Sequence, residues 1–170
     1  MMPGYYEQRK HYNYYRVLRQ WIDELGPQQS ILDIGPMDTP VATWGAFAER
    51  WTLGPEARPH LPGVQAARGY WPTSAKHVPL PVSVVTCCQV IEHLKETQEF
   101  SAALFAAATK CVIISVPYLW PAGACKYHVH DPIDESKLAS LVGRAPDQST
   151  IVTDDNCRRI LARYDILGDW

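Results

Sequence analysis

Val82-Ser83-Val84-Val85-Thr86-Cys87-Cys88-Gln89-Val90-Ile91-Glu92-His93-Leu94 is the stretch that decides the fold. Its first seven residues form a short run rich in β-branched side chains, which reads as a buried strand. Downstream, Phe100, Leu104 and Phe105 fall at helical spacing among alanines over residues 97–110, and Cys111-Val112-Ile113-Ile114-Ser115-Val116 reads as a second apolar strand halted by Pro117. Upstream, Ser30-Ile31-Leu32-Asp33-Ile34-Gly35 has the same character and ends at a Gly-Pro turn. Further strands are expected at residues 50–53, closed by Gly54-Pro55, and weakly at residues 64–67 within a Pro- and Gly-rich stretch. Before all of these, Tyr14, Tyr15, Leu18, Trp21, Ile22 and Leu25 recur every three or four residues, the signature of an amphipathic helix over 5–25 stopped by Gly26-Pro27.

Strand, turn and helix in alternation imply a Rossmann-like α/β fold: a mostly parallel central sheet with helices on both faces. Right-handed crossovers then place the loops that follow the strands on one side, where such sheets bind ligands. The loops at residues 35–39, 88–93 and 116–120 are therefore expected to converge. The tail is harder to read: Ile151-Val152 suits a strand, residues 156–164 suit a helix with an Arg158, Arg159 and Arg163 face, and the sheet is expected to be reduced at its C-terminal end.

Three of these segments, in this order and at these spacings, resemble the motifs of class I S-adenosylmethionine-dependent methyltransferases of the type 11 branch. Leu32-Asp33-Ile34-Gly35 looks like the first-strand motif, an acidic residue, any residue, then glycine; Val84 to Leu94 is similar to the fourth-strand motif ending in Glu-His-Leu; Ser115-Val116-Pro117 looks like the fifth-strand turn. The resemblance covers residues 30–118 and implies one methyltransferase-like domain over 1–170, with an N-terminal helical cap at 1–26, a cofactor-binding core at 30–118, and substrate-side and C-terminal elements at 119–170. It implies S-adenosylmethionine as cofactor and methyl transfer to an oxygen or nitrogen of a small-molecule or sugar-like acceptor. Asp33 would orient the ammonium group of the cofactor; Gly35, Pro36, Asp38 and Gln89 would lie around its methionine part, and Gly54, Tyr70 and Trp71 around the adenosine.

Some positions depart from the family pattern. Gly54 stands where an acidic residue ordinarily holds the ribose hydroxyls, with Glu56 two residues on, and the further glycines after Gly35 are replaced by Pro36-Met37-Asp38-Thr39-Pro40. Tyr70 and Trp71 could stack on adenine, which needs only a flat apolar face, although Trp71 packed beneath a loop is an equal reading. His93 and His128 are the candidate proton acceptors, since an imidazole near its ordinary pKa can take a proton from a hydroxyl as a methyl group arrives. A purely structural Glu92-His93 pair is the plainer alternative. Tyr118, Trp120 and His130 would line the acceptor side or shield the core. Metal-dependent relatives use Glu-x-x-Glu-His; Gln89 stands in place of the first Glu here, so no metal is expected despite the nearby His128 and His130.

Composition bounds the rest. A formal charge of −2 and no Lys/Arg run give no electrostatic reason to expect nucleic acid or an anionic membrane as partner. Five cysteines, an odd number that includes an adjacent pair, argue against a disulfide framework. With no long apolar run, a cytoplasmic location is expected. A homodimer would be one way to cover an exposed sheet edge. A domain that lost cofactor binding and became a binding or scaffold module is the alternative function, and another nucleotide-binding α/β protein the weaker third.

Overall fold

The computed structural model describes residues 4–56 and 61–167. In chain order its elements are α1 (Tyr5–Arg9), α2 (Asn13–Asp23), β1 (Gln28–Ile34), β2 (Phe47–Gly54), β3 (Gln65–Arg68), β4 (Val82–Cys88), α3 (Thr97–Ala107), β5 (Ala108–Pro117), α4 (Glu135–Val142), β6 (Gln148–Asp154) and β7 (Cys157–Asp165). One seven-stranded sheet runs β3-β2-β1-β4-β5-β7-β6. All neighbours from β3 to β5 are parallel, and β7 is antiparallel to both β5 and β6. Strand order reverses between β1 and β4, which makes that crevice the switch point.

Alternation of side chains across the sheet divides the core in two. Leu32, Ile34, Val85, Cys87, Val112 and Ile114 face α3 and α4, joined by Ile160, Ala162 and Tyr164 of β7. Ile31, Val84, Cys111, Ile113 and Leu161 face the other way, onto Tyr14, Tyr15, Leu18, Trp21 and Ile22 of α2. The connection from β1 to β2 holds only a single 3-10 turn, Val41–Thr43, so α2, which precedes β1, supplies the cover on that face.

Two expectations need correcting. The segment expected to be a helix over 156–164 is instead a turn residue followed by the strand Cys157–Asp165, and the sheet is not reduced. Asp155 and Asn156 both take positive φ, 42° and 65°, which is the geometry of a two-residue hairpin turn; β6 and β7 pair across it from Asp154↔Cys157 to Gln148↔Arg163. In β7, Ile160, Ala162 and Tyr164 then alternate with Arg159, Leu161 and Arg163, a period of two that the arginine spacing disguised. The N-terminal helix is also interrupted: α1 ends at Arg9 and α2 begins at Asn13. The start of α2 is capped from across the molecule, because the Asp154 carboxylate accepts the Asn13 and Tyr14 N–H groups at 2.7 and 2.9 Å. α4 is capped by Asp134, whose side chain accepts from the Lys137 N–H at 2.7 Å. Among the described residues, no helix is long and apolar enough to cross a membrane.

Candidate active site

The parallel register sets Asp33 opposite Thr86 at the carboxyl ends of β1 and β4. The Thr86 hydroxyl donates to Asp33 Oδ1 at 2.7 Å, while Oδ2 is buried with no hydrogen-bond partner. Burial pushes the Asp33 carboxyl up to about 7, against the smaller opposing effect of the Thr86 hydrogen bond. Such a group is a carboxylate short of a cation.

Gly35 follows at φ 69°, its N–H bonded to the Leu53 carbonyl at 2.9 Å. A Cβ there would meet Val90 Cγ2 at 2.6 Å, so glycine is required both by the backbone and by the packing of the β1 loop against the β4 loop. Gln89 also sits in the left-handed region, φ 58°. It is held there by Ser115: its N–H donates to the Ser115 carbonyl at 2.8 Å, and its side-chain amide to the Ser115 hydroxyl at 3.2 Å. Tyr14 Oη of α2 shares a 2.6 Å hydrogen bond with the same hydroxyl. β4, β5 and α2 are tied together at one point.

These loops enclose a cavity of about 340 Å³, within the range of small-molecule sites. Of the residues singled out from the sequence, Asp33, Gly35, Pro36, Gly54, Tyr70, Gln89 and His93 line it. The others do not. The Asp38 carboxylate accepts the Tyr6 N–H at 3.1 and 3.2 Å and anchors α1. Trp71 is buried in the core with its indole N–H donating to the Phe100 carbonyl. Tyr118 donates to Glu135, and Trp120 to the Arg158 carbonyl. His130 Nε2 donates to the Leu94 carbonyl at 2.5 Å.

His128 stands next to His93, ring centroids 4.9 Å apart and edge to face. His93 Nδ1 donates to the Tyr127 carbonyl at 3.1 Å, which leaves Nε2 of the neutral ring as the basic nitrogen. His128 Nδ1 is 2.6 Å from Asp131 Oδ2, and Glu92, 1% exposed, keeps Oε2 unpartnered. Burial, reinforced by the nearby Asp131 charge, pushes the Glu92 carboxyl up to about 8. One ligand atom each from Glu92, His93 and His128 lie within 4.8 Å of one another, a set of two imidazole nitrogens and one carboxylate oxygen chemically able to hold a divalent ion.

Tyr5, Tyr14 and Tyr15 line the cavity from the N-terminal segment expected as a helical cap, and Glu56 lines it just past β2; Val90 and Leu94 beside the Glu-His pair and Arg159 from β7 are lining residues without a sequence-based site role. The aromatic side chains on α2 suit, from the sequence, either a cap over the pocket or core packing. Arg159 was hidden by the helical reading of β7.

No protein-family model and no curated protein matches the sequence. Solved structures do match its shape. Magnesium protoporphyrin IX methyltransferase from Synechocystis, with bound SAH, has a TM-score of 0.62 at 13% identity, covering 98% of this chain and 90% of that one. N-methyltransferase NodS from Bradyrhizobium japonicum has a TM-score of 0.68 at 10% identity over 92% of this chain and 96% of its own. Its complex with S-adenosyl-L-homocysteine scores 0.65, again at 10% identity, over 92% and 87% of the two chains. Sequence identity this low establishes shape alone, and on that basis the chain has the Rossmann-like fold of these methyltransferases.

Proposed function

We propose that the protein transfers a methyl group from S-adenosylmethionine to an oxygen or nitrogen of a small-molecule or sugar-like acceptor. The observation that carries this reading is the unpartnered Oδ2 of Asp33 in the wall of a cavity at the β1–β4 switch point. A cationic amino group placed there would restore its ionised form and satisfy Oδ2. Glu56 and Tyr70, which line the cavity and lie beyond β2 and β3, are placed to meet a sugar hydroxyl and a flat base, a task for which Gly54 offers only backbone.

The donor supplies an activated methyl on a sulfonium; the protein aligns donor and acceptor and keeps water out. Pro36, Val90 and Leu94 give the cavity apolar wall on which such exclusion depends. His93 Nε2 takes the acceptor's proton when the nucleophile is a hydroxyl or ammonium. His128, with Nδ1 engaged by Asp131, stands next to that imidazole, and Trp120, its ring 5.6 Å from His128, extends the surface toward an acceptor.

Calorimetric titration with S-adenosylhomocysteine tests the reading. Saturable binding in the micromolar range is expected, together with weaker binding by Asp33→Asn. No detectable heat at millimolar ligand would overturn it and leave a domain of this shape with no donor.

A further inference from the structure

Arg159 lines the cavity but has no part in the donor site proposed above. Its side chain comes from β7, where register opposite Pro117 puts it at the carboxyl end of β5. The residue is only 5% exposed, yet it lines the cavity, and its Nη1 is buried without a hydrogen-bond partner. Among the described residues no carboxylate lies within ion-pairing distance of it. The buried Glu92 carboxyl is near enough to interact with its charge, but too far to pair with it, and what packs against the guanidinium is aromatic: Cζ is 5.6 Å from the Tyr12 ring, 5.4 Å from Tyr14 and 5.9 Å from Trp120. Ring faces attract a cation but cannot accept its directed N–H bonds, so the guanidinium is held in place while Nη1 is left unsatisfied.

We infer that Arg159 is a specificity-determining residue that receives a carboxylate of the methyl acceptor. The inference rests on reading the cavity as one shared by donor and acceptor. A buried guanidinium is strongly disfavoured without an anion, and a carboxylate matches its planar fork in a bidentate pair. Arg159 is the one Lys or Arg among the described lining residues, with His93 the other basic side chain, which suits a monoanion better than a phosphate dianion. Position separates this anion from the donor's own carboxylate. β5 and β4 lie between β7 and the strand of Asp33, so the two backbones are about 14 Å apart at ordinary strand spacing. Arg159 instead neighbours Trp120, whose ring is itself next to His128, on the side where the proton acceptor stands.

The test titrates wild type, Arg159→Gln and Arg159→Lys with three probes: S-adenosylhomocysteine, 5′-methylthioadenosine, which lacks the amino-acid end, and benzoate added to protein saturated with S-adenosylhomocysteine. Arg159→Gln is expected to bind S-adenosylhomocysteine as wild type does and benzoate about tenfold or more weakly, the loss of a charge-assisted pair. Arg159→Lys, which keeps the charge but not the fork, is expected to lie between them; it also carries the test if the Gln variant shows no cooperative melting. Equal benzoate affinity in all three proteins, or no benzoate binding by a wild type that binds S-adenosylhomocysteine, would overturn the inference. So would a tenfold loss of S-adenosylhomocysteine affinity with methylthioadenosine unaffected, which would assign Arg159 to the donor. A wild type that does not bind S-adenosylhomocysteine but binds benzoate added alone would sink the proposed function and leave the anion site standing.

Discussion

Asp33 carries a cost in the empty protein that ligand binding would remove. Its folded pKa, about 7, lies above the ordinary 3.8 because the ionised form is desolvated. The folded state therefore holds a proton that the unfolded state has released, and stability declines as pH rises through that interval before levelling above it. Glu92, pushed from 4.5 to about 8 by burial, adds a decline of the same sign. Asp33→Asn keeps a carbonyl oxygen to accept from Thr86 and cannot ionise. In thermal melts without ligand, the variant is predicted to gain on the parent from about pH 4 to about pH 8, by on the order of a few kcal/mol at the alkaline end. A difference that does not change with pH would show that Asp33 ionises freely in the fold. The sequence alone located this carboxyl at a strand end. It could not reveal the orphaned oxygen, which depends on Thr86, 53 residues away, taking one side of the group and nothing taking the other.

Between elements, the β1 loop and the β4 loop touch through Gly35 and Val90. Gly35→Ala introduces both a left-handed non-glycine residue and a Cβ aimed at Val90 Cγ2. It is predicted to destabilise by about 1–3 kcal/mol and to weaken S-adenosylhomocysteine binding. Adding Val90→Ala should recover the packing part and leave the backbone part, so a double-mutant cycle on stability is expected to show favourable coupling. Additive effects would mean the two loops do not meet at this point. Element by element, the sequence was most informative where apolar runs were continuous: the Val82–Cys88 strand is found at its expected bounds, and Asp134 caps α4 as its residue type suggests. It was least informative at β7, where three arginines at near-helical spacing obscured an alternating strand and the hairpin turn at Asp155-Asn156 that precedes it. The cap on α2 is supplied by Asp154, 141 residues beyond Asn13, a pairing no local pattern contains.

At the scale of the molecule, the parallel half of the sheet and its switch point were readable because strand–helix alternation leaves few topologies. The N-terminal cap was also expected, but not that α2 replaces the cover a helix between β1 and β2 would give as it carries Tyr14 and Tyr15 into the site. That arrangement joins ligand binding to global stability, because the cavity wall draws on α1, α2, β1, β4 and β7 and none of these can unfold with the site intact. A ligand that binds only the folded chain at a hundredfold its Kd contributes about 2.7 kcal/mol. For a chain of 170 residues, that raises the melting temperature by about 5–10 °C. The sign of its pH dependence follows from Asp33. Below about pH 7 the empty site holds a proton that an ammonium ligand must displace, so binding releases a proton and weakens as pH falls. At one fixed S-adenosylhomocysteine concentration, the rise in melting temperature is therefore expected to be larger at about pH 7.5 than at about pH 5.5. The same ligand should give a smaller and pH-independent rise in Asp33→Asn. A rise that grows toward acid pH, or one that the Asn variant reproduces in full, would separate ligand binding from the carboxyl at the end of β1.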